Sequence, residues 1–220
     1  MAGFDFSIIW EYRALFLRGT WVTIQLTFGA LIIATVLGLM VGLARWSRIK
    51  FVSWPATVFV EIFRTTPTLV QLIWIYYALP LLTGVQLSGF WAVLIGLGLH
   101  EAAYFGEIVR AGVASIDRGQ MLAAKSIGMS PTQAMRRIIL PQALRRMIPP
   151  SVSQLATLIK LTSLGSTVAV AELVHVGGEL IAATFRPLEV YTAIAIMYVA
   201  LVFPIVCLAR LLESWAEARS

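Results

Sequence analysis

Charge is scarce in this chain. Of 220 residues only 13% are Asp, Glu, Lys or Arg, against 59% hydrophobic. The mean hydropathy of +0.85 exceeds that of an ordinary soluble domain and places the chain in the membrane class. Cysteine is nearly absent: Cys207 stands alone, so no internal disulfide can form, and in its apolar run it reads as a small lipid- or core-facing side chain. The chain has no GxxxxGK(S/T) phosphate loop, no HExxH, no GxSxG elbow and no Cys/His spacing for a metal. No ATPase or hydrolase activity is therefore expected of this chain, and no metal site. His175, beside Gly177 and Gly178, is read as a loop residue rather than a metal ligand. Tandem repeats, low-complexity linkers and a second domain are also missing.

What is present is a series of apolar runs. Residues 1–19 include Asp5, Glu11, Arg13 and Arg18, unlike the positive start of a signal peptide, and the run after them is too long for a signal core. They are expected to form an external segment ahead of a first span that is kept. Thr20–Ala44 holds 25 residues without a charge, enough to cross a hydrocarbon core. Gly38 and Gly42, four apart, allow close helix packing there. The fold class is an all-α membrane protein with five transmembrane helices, at about 20–44, 57–82, 89–109, 150–171 and 190–209, in one domain over 20–211. A helical cytoplasmic loop at 115–143 joins spans three and four, and residues 212–220 form a cytoplasmic tail.

The net charge of +6 is arranged by topology rather than for nucleic acid. Twelve Lys and Arg fall in the segments placed inside, beginning with the basic turn Arg45, Arg48 and Lys50; three (Arg13, Arg18 and Arg186) fall outside. The positive-inside rule then sets the N-terminus outside and the C-terminus in the cytoplasm.

Several polar residues lie within the spans. Glu61 and Arg64, three apart, are placed to pair. Pro67 should kink the second span, and Trp74, Tyr76 and Tyr77 resemble an interfacial aromatic belt. Glu107 has Arg110 at i+3 as an ion-pair partner. Glu101 sits deeper with no cation within one turn, which makes it the first pathway candidate, with a hydrogen-bonded, protonated structural role as the other reading. Lys160 and Thr162 lie mid-span in the fourth helix. Glu172–Glu189 reads as a polar external segment, and Pro204 as a kink in the fifth span.

The loop from Ser115 to Pro150 is locally specified. Asp117 with Gln120, and Ser130 with Gln133, fit capping boxes. Pro131 suits a first helical position, Gly128 a left-handed helix stop, and Pro141 a helix end near Leu140. The expectation is helix over Arg118–Ile127, a glycine break, then helix over Pro131–Leu140.

These residues carry a resemblance. Gly119-Gln-Met-Leu-Ala-Ala-Lys-Ser-Ile-Gly128, followed by Ile138-Ile-Leu-Pro141-Gln-Ala143, resembles the EAA loop of bacterial ABC-importer permeases. Phe63-Arg-Thr-Thr-Pro67 with Leu69-Val-Gln71, Ala103-Tyr104 with Glu107-Ile-Val-Arg110, and Lys160-Leu-Thr-Ser-Leu164 are similar to the polar amino-acid subfamily. The likeness runs from Thr20 to the end of the fifth helix and implies a type I ABC importer-like fold. It also implies a coupling helix over 118–128, with Gly119, Gln120, Ala123, Ala124 and Gly128 meeting a separate ABC ATPase. That ATPase dimer would bind ATP and Mg, leaving this chain without a cofactor of its own. A second permease subunit, identical or different, and a periplasmic or surface amino-acid-binding protein complete the implied assembly in the bacterial inner membrane.

Two positions depart from the family pattern. Leu122 replaces the usual Glu before Ala-Ala, and Leu161 the usual Asp after Lys160. Lys160 is then either free for substrate or paired with Glu101 across the bundle. For a zwitterionic cargo, Glu101, Tyr104, Lys160 and Thr162 are the candidate pathway groups. Two other readings remain: a membrane scaffold using the basic loop, which would tolerate apolar replacements at Glu101 and Lys160, and a small secondary transporter, which five spans in one short chain fit poorly.

Overall fold

In the computed structural model, residues 5–47 and 49–217 are described, and they form helices joined by short turns. A short helix α1 (Ser7–Glu11) leads into α2 (Arg13–Trp46), and α2 packs most extensively on α6 (Gly89–Ala114). With α11 (Pro187–Glu217) these are the helices long and apolar enough to cross a membrane, and up to five spans result if each of two bent helix pairs is one span. Arg45 belongs to the last turn of α2 and Lys50 opens α3, so the expected basic turn is mostly helix; Arg48 lies outside the described residues.

The second span departs from the expected kinked helix. It is two helices, α3 (Lys50–Thr65) and the run Thr68–Thr83, bent by 107°. Thr66 and Pro67 between them are extended, with ψ of 141° and 134°. Proline removes an N–H and drives the residue before it out of the α region, so the chain breaks here. The carbonyls freed by the break are satisfied locally. Gln71 Nε2 donates to Phe63 O at 2.9 Å, Thr66 O at 3.0 Å and Thr66 Oγ1 at 2.6 Å. Beyond Gln71, α4 (Thr68–Ile73) continues through a π-helical turn (Trp74–Ala78) into α5 (Leu79–Thr83).

Later boundaries also shift. The third span continues to Ala114. Pro141 does not end a helix: α8 (Pro131–Ala134) widens into a π turn (Met135–Ile139) and continues as α9 (Leu140–Leu161), with Pro149 and Pro150 inside it. Pro141 lies in the first turn of α9, and the wider turn just before it accommodates the missing N–H. A 3₁₀ stretch (Thr162–Val168) ends at Ala169 in the left-handed region.

Within the segment expected to be polar and external lies the helix α10 (Leu173–Thr184), and His175 is in its first turn rather than in a loop. Glu172 is its N-cap, accepting from Val174 N at 2.9 Å and His175 N at 2.8 Å. A Cβ at Gly177 would stand 2.2 Å from Ile194 Cδ1, so the glycine that suggested a loop serves close packing of α10 on α11. Pro204 lies inside α11, which runs on to Glu217.

One apolar cluster (Leu26, Ala30, Leu72, Val93, Leu97, Leu158) fills the middle of the bundle. A second joins α1 and α2 to α10 and α11 through Ile8, Phe16, Leu173 and Val190. A third, of Ile116, Ile139, Ala143 and Met147, anchors the loop after α6.

Candidate functional sites: the coupling loop and the polar groups of the bundle

The loop after α6 is built from local signals. Asp117 caps α7 (Arg118–Ser126) by accepting from Gly119 N. The expected reciprocal bond from Gln120 is not made; Gln120 Oε1 instead accepts from Gln142 Nε2 at 3.5 Å. A side chain that finds a partner on a neighbouring helix does not fold back on its own N-cap.

At its other end α7 closes in a Schellman motif. Gly128 N donates to Lys125 O at 3.0 Å and Met129 N to Ala124 O at 3.1 Å, with Gly128 at φ +79°. Ser130 and Gln133 then form the complete capping box of α8, with Pro131 at the first helical position. Capped on both sides of one left-handed glycine, the α7–α8 corner is stiff despite its short helices. Arg146 Nη1 ties its root to Ser115 O at 2.5 Å.

The coupling candidates divide by burial. Ala124 is 1% exposed and packs inward, so it holds the helix in place rather than meeting a partner. Gly119, Gln120, Ala123 and Gly128 are exposed. Between Ala123 and the ends of the helix, Leu122 and Ile127 are 64% and 72% exposed, giving the outer face an apolar character. Beside it, a cleft of about 680 Å3 is lined by Trp46 and Ser47 at the end of α2 and by Met121, Lys125, Pro131, Thr132 and Met135.

Charged groups gather where α2, α3 and α6 meet. Glu107 accepts from Arg45 on α2 and from Arg110 Nε at 3.1 Å, and Arg64 Nη1 stands 3.9 Å away. The expected Glu61–Arg64 pair is replaced: Arg64 reaches Glu107 and lies 5.6 Å from the centroid of the Tyr104 ring, while Glu61 is exposed. Tertiary contact with α6 offers Arg64 a carboxylate and an aromatic face together, more than an exposed i,i+3 pair supplies.

The proposed pathway residues do not form one cavity. Glu101 is 0% exposed, and neither carboxyl oxygen has a hydrogen-bond partner. Gln154 on α9 bears on it without a bond of acceptable geometry. Tyr104, one turn further, is half-buried. Thr162 is buried and donates to Ile159 O at 2.7 Å. Lys160 is exposed on α9 and makes no ion pair with Glu101, which removes the cross-bundle pairing.

Sequence reasoning missed His100. Its Nδ1 is 3.0 Å from Gln71 Oε1 and its Nε2 is 3.2 Å from Thr68 Oγ1, joining α6 to the helix that restarts after the break. The available signal was an imidazole in an apolar span opposite a proline-interrupted one. A second missed node joins Tyr198 on α11, whose hydroxyl donates to Glu172 at 3.3 Å, to the α10 cap.

Comparison with known proteins agrees with this architecture. Residues 20–217 match the family described as the binding-protein-dependent transport system inner membrane component. The chain is 37% identical over 99% of its length, and 96% of the relative's, to the probable amino-acid ABC transporter permease protein PatM of Vibrio harveyi. It is 37% identical to the glutamine transport system permease protein GlnP of Escherichia coli, covering 96% of both chains. Among solved structures, an amino acid ABC transporter crystallised with histidines superposes with a TM-score of 0.91 at 33% identity, covering 96% of this chain and 99% of that one. These matches do not favour the scaffold and secondary-transporter readings. The chain belongs to the inner membrane component family of binding-protein-dependent transport systems, as a permease subunit of an ATP-driven ABC importer.

Proposed function

We propose that this permease carries a polar amino acid or related zwitterion inward, and that α7 is the element through which a separate ATPase drives it. The observation that carries this reading is the outer face of α7. It is exposed, small at Gly119 and Ala123, apolar at Leu122 and Ile127, and held by caps at both ends. A short helix transmits a push only if its ends are fixed, and these are. With the family's Glu replaced by Leu122, contact with the ATPase is apolar at that point, and Gln120 supplies the polar neighbour.

The α7 end of the bundle is cytoplasmic and the end carrying α1 and Arg186 is external, as the distribution of Lys and Arg supports. The N-terminus is then outside and the C-terminus inside. A substrate-binding protein docks at the external end, and a second permease subunit completes the pore. ATP and Mg are held by the ATPase dimer, and this chain performs no catalysis. The amino-acid cargo is supported by what the relatives are named for; of the candidate pathway groups, Glu101 and Thr162 are buried in the bundle, Tyr104 is half-buried and Lys160 is exposed on α9.

Co-purification from the membrane with the neighbouring gene products tests the reading. An ATPase subunit is expected to remain bound, and Ala123→Glu is expected to release it while the permease stays folded. Ala124→Glu, by contrast, should disrupt the loop itself, since Ala124 is buried. Retention of the ATPase by a folded Ala123→Glu protein would show that α7 is not the docking element.

A further inference from the structure

We propose that α3 does not cross the membrane but lies flat in the cytoplasmic leaflet, where its outer face docks on anionic phospholipid. Its direction follows from α6, a helix long and apolar enough to cross. Thr68 Oγ1 lies 3.2 Å from His100 Nε2, and further along the chain Leu72 and Ile75 pack where a Cβ at Gly96 would stand. The helix after the break therefore runs antiparallel to α6 and crosses beside it. A bend of 107° from that helix leaves α3 nearly perpendicular to the crossing direction. The ends of α3 agree. Arg64 and Arg45, the second only five residues before Lys50, approach the same oxygen of Glu107. An upright α3 would carry Arg64 about 21 Å from the level of Lys50 at 1.5 Å per residue; instead Arg64 returns to the level where α2 ends.

The residues of α3 suit that position. Phe51, Pro55, Val58 and Ile62 recur at the spacing of one helix face, and Phe51 is 91% exposed, with Pro55 and Ile62 exposed beside it. The opposite face turns Ala56 and Val60 inward, and Val60 is fully buried. Between the two runs a polar stripe of Lys50, Thr57, Glu61 and Arg64, in which Lys50 and Glu61 are exposed. An upright α3 would carry Glu61 into hydrocarbon, where a charge is expensive. Lying flat, the helix keeps this stripe at water and headgroups and its apolar face against acyl chains. Trp54, 70% exposed at the border of the two, is the residue type that favours such an interface.

Charge selects the partner. Residues 45–64 carry four Lys or Arg against one Glu, which complements an anionic leaflet. Arg45 and Arg64 are drawn to Glu107, so Lys50 is an exposed cation placed to meet a phosphate. A second permease subunit is the other occupant such a face could take, but Lys is depleted where subunits meet. The depths also close. Thr68–Thr83 covers about 24 Å, short of a hydrocarbon core of roughly 30 Å, and a surface helix sinks by about 5–10 Å. That the leaflet is the cytoplasmic one rests on the orientation proposed above; that α3 lies flat does not.

Site-directed spin labelling of the assembled transporter in vesicles tests the geometry, on a Cys207→Ser background and in variants that keep the ATP hydrolysis of the parent. Relative collision with oxygen and with a nickel chelate reads depth. Labels at Phe51→Cys, Val58→Cys and Ile62→Cys are expected within about 5 Å of one another in depth, where an upright helix would separate the first from the last by about 16 Å. A separation of that size would overturn the flat placement. Labels shielded from oxygen and coupled between two subunits would overturn the lipid partner in favour of a second permease. A bimane at Phe51→Cys is expected to be quenched about twofold or more better by brominated phosphatidylglycerol than by brominated phosphatidylcholine, a preference that Lys50→Glu reduces. Equal quenching by the two lipids would overturn the anionic choice. An impermeant maleimide should reach Glu61→Cys in inverted vesicles and not in intact cells. The reverse would overturn the proposed orientation and leave the depth result standing.

Discussion

Glu107 on α6 accepts a hydrogen bond from Arg45 in the last turn of α2, across 62 residues of sequence. Arg110 binds the same carboxylate and Arg64 approaches it, so one acid ties the ends of three helices together. The side chains of Arg45 and Glu107 are only 11% and 22% exposed, so solvent screens this pair less than an ordinary surface bridge.

Removing that acid should therefore be felt. Glu107→Gln is expected to destabilise the protein by roughly 1–3 kcal/mol, since it leaves Arg45 half-satisfied among like charges. Arg64→Ala, at 3.9 Å and 39% exposure, should cost under about 1 kcal/mol. Thermal unfolding in detergent checks the order, and equal losses would mean that Glu107 does not organise the junction.

Close packing of α2 on α6 predicts a second sensitivity. A Cβ at Gly38 would meet Phe105 Cβ at 2.5 Å and Ala102 O at 3.0 Å. Gly38→Ala should cost about 1–3 kcal/mol through overpacking, and Gly38→Leu should prevent assembly of the bundle. Gly178→Ala, with nothing within 4 Å, is the control expected to be neutral or slightly stabilising.

At Gly128 the strain is conformational alone. The space around it is open, yet its φ is +79°. Gly128→Val should destabilise the loop by about 1–2 kcal/mol, the cost of a left-handed L-residue. In the assembled transporter it should also lower substrate-stimulated ATP hydrolysis. Stimulation that survives unaltered would separate α7 from coupling.

The clasp at the opposite end should respond to acid. Asp5 Oδ2 is 2.9 Å from Arg186 Nη1, and hydrogen bonds from Ser7 and Arg186 hold the Asp5 carboxyl below its ordinary value of 3.8. The folded state thus binds this proton less readily than the unfolded one. Its contribution is present above the ordinary carboxylate range and is lost as pH falls below it. Because the pair is exposed, the effect should be small and weaken with salt. Protease protection of the N-terminal segment, measured from pH 6 to about 3, should fall for wild type and stay low and flat for Asp5→Asn.

Much of this molecule is legible in short windows of sequence. Thr20–Ala44 must be a span because nothing in it would be stable exposed to water. Gly128, Ser130 and Pro131 specify the coupling corner because helix caps depend on residues within four or five positions of one another. What those windows omit is the choice among partners. Pro67 is compatible with a kink or a break; Gln71 reaching back to Phe63 and Thr66, with His100 across from it, supports the break. Arg64 has Glu61 three residues away and still turns to Glu107, because α6 places a carboxylate and an aromatic ring beside it. His175, beside Gly177 and Gly178, resembled a loop residue, yet it is helical because Gly177 admits Ile194 and Glu172 caps the first turn.

By itself, then, the sequence determined the membrane class, the approximate spans and the design of the coupling corner, since hydropathy and capping act between near neighbours. The tertiary structure alone decided where the second span breaks, which cations share Glu107, and that Glu101 lies sealed against Gln154, since burial and charge pairing depend on residues that only folding brings together.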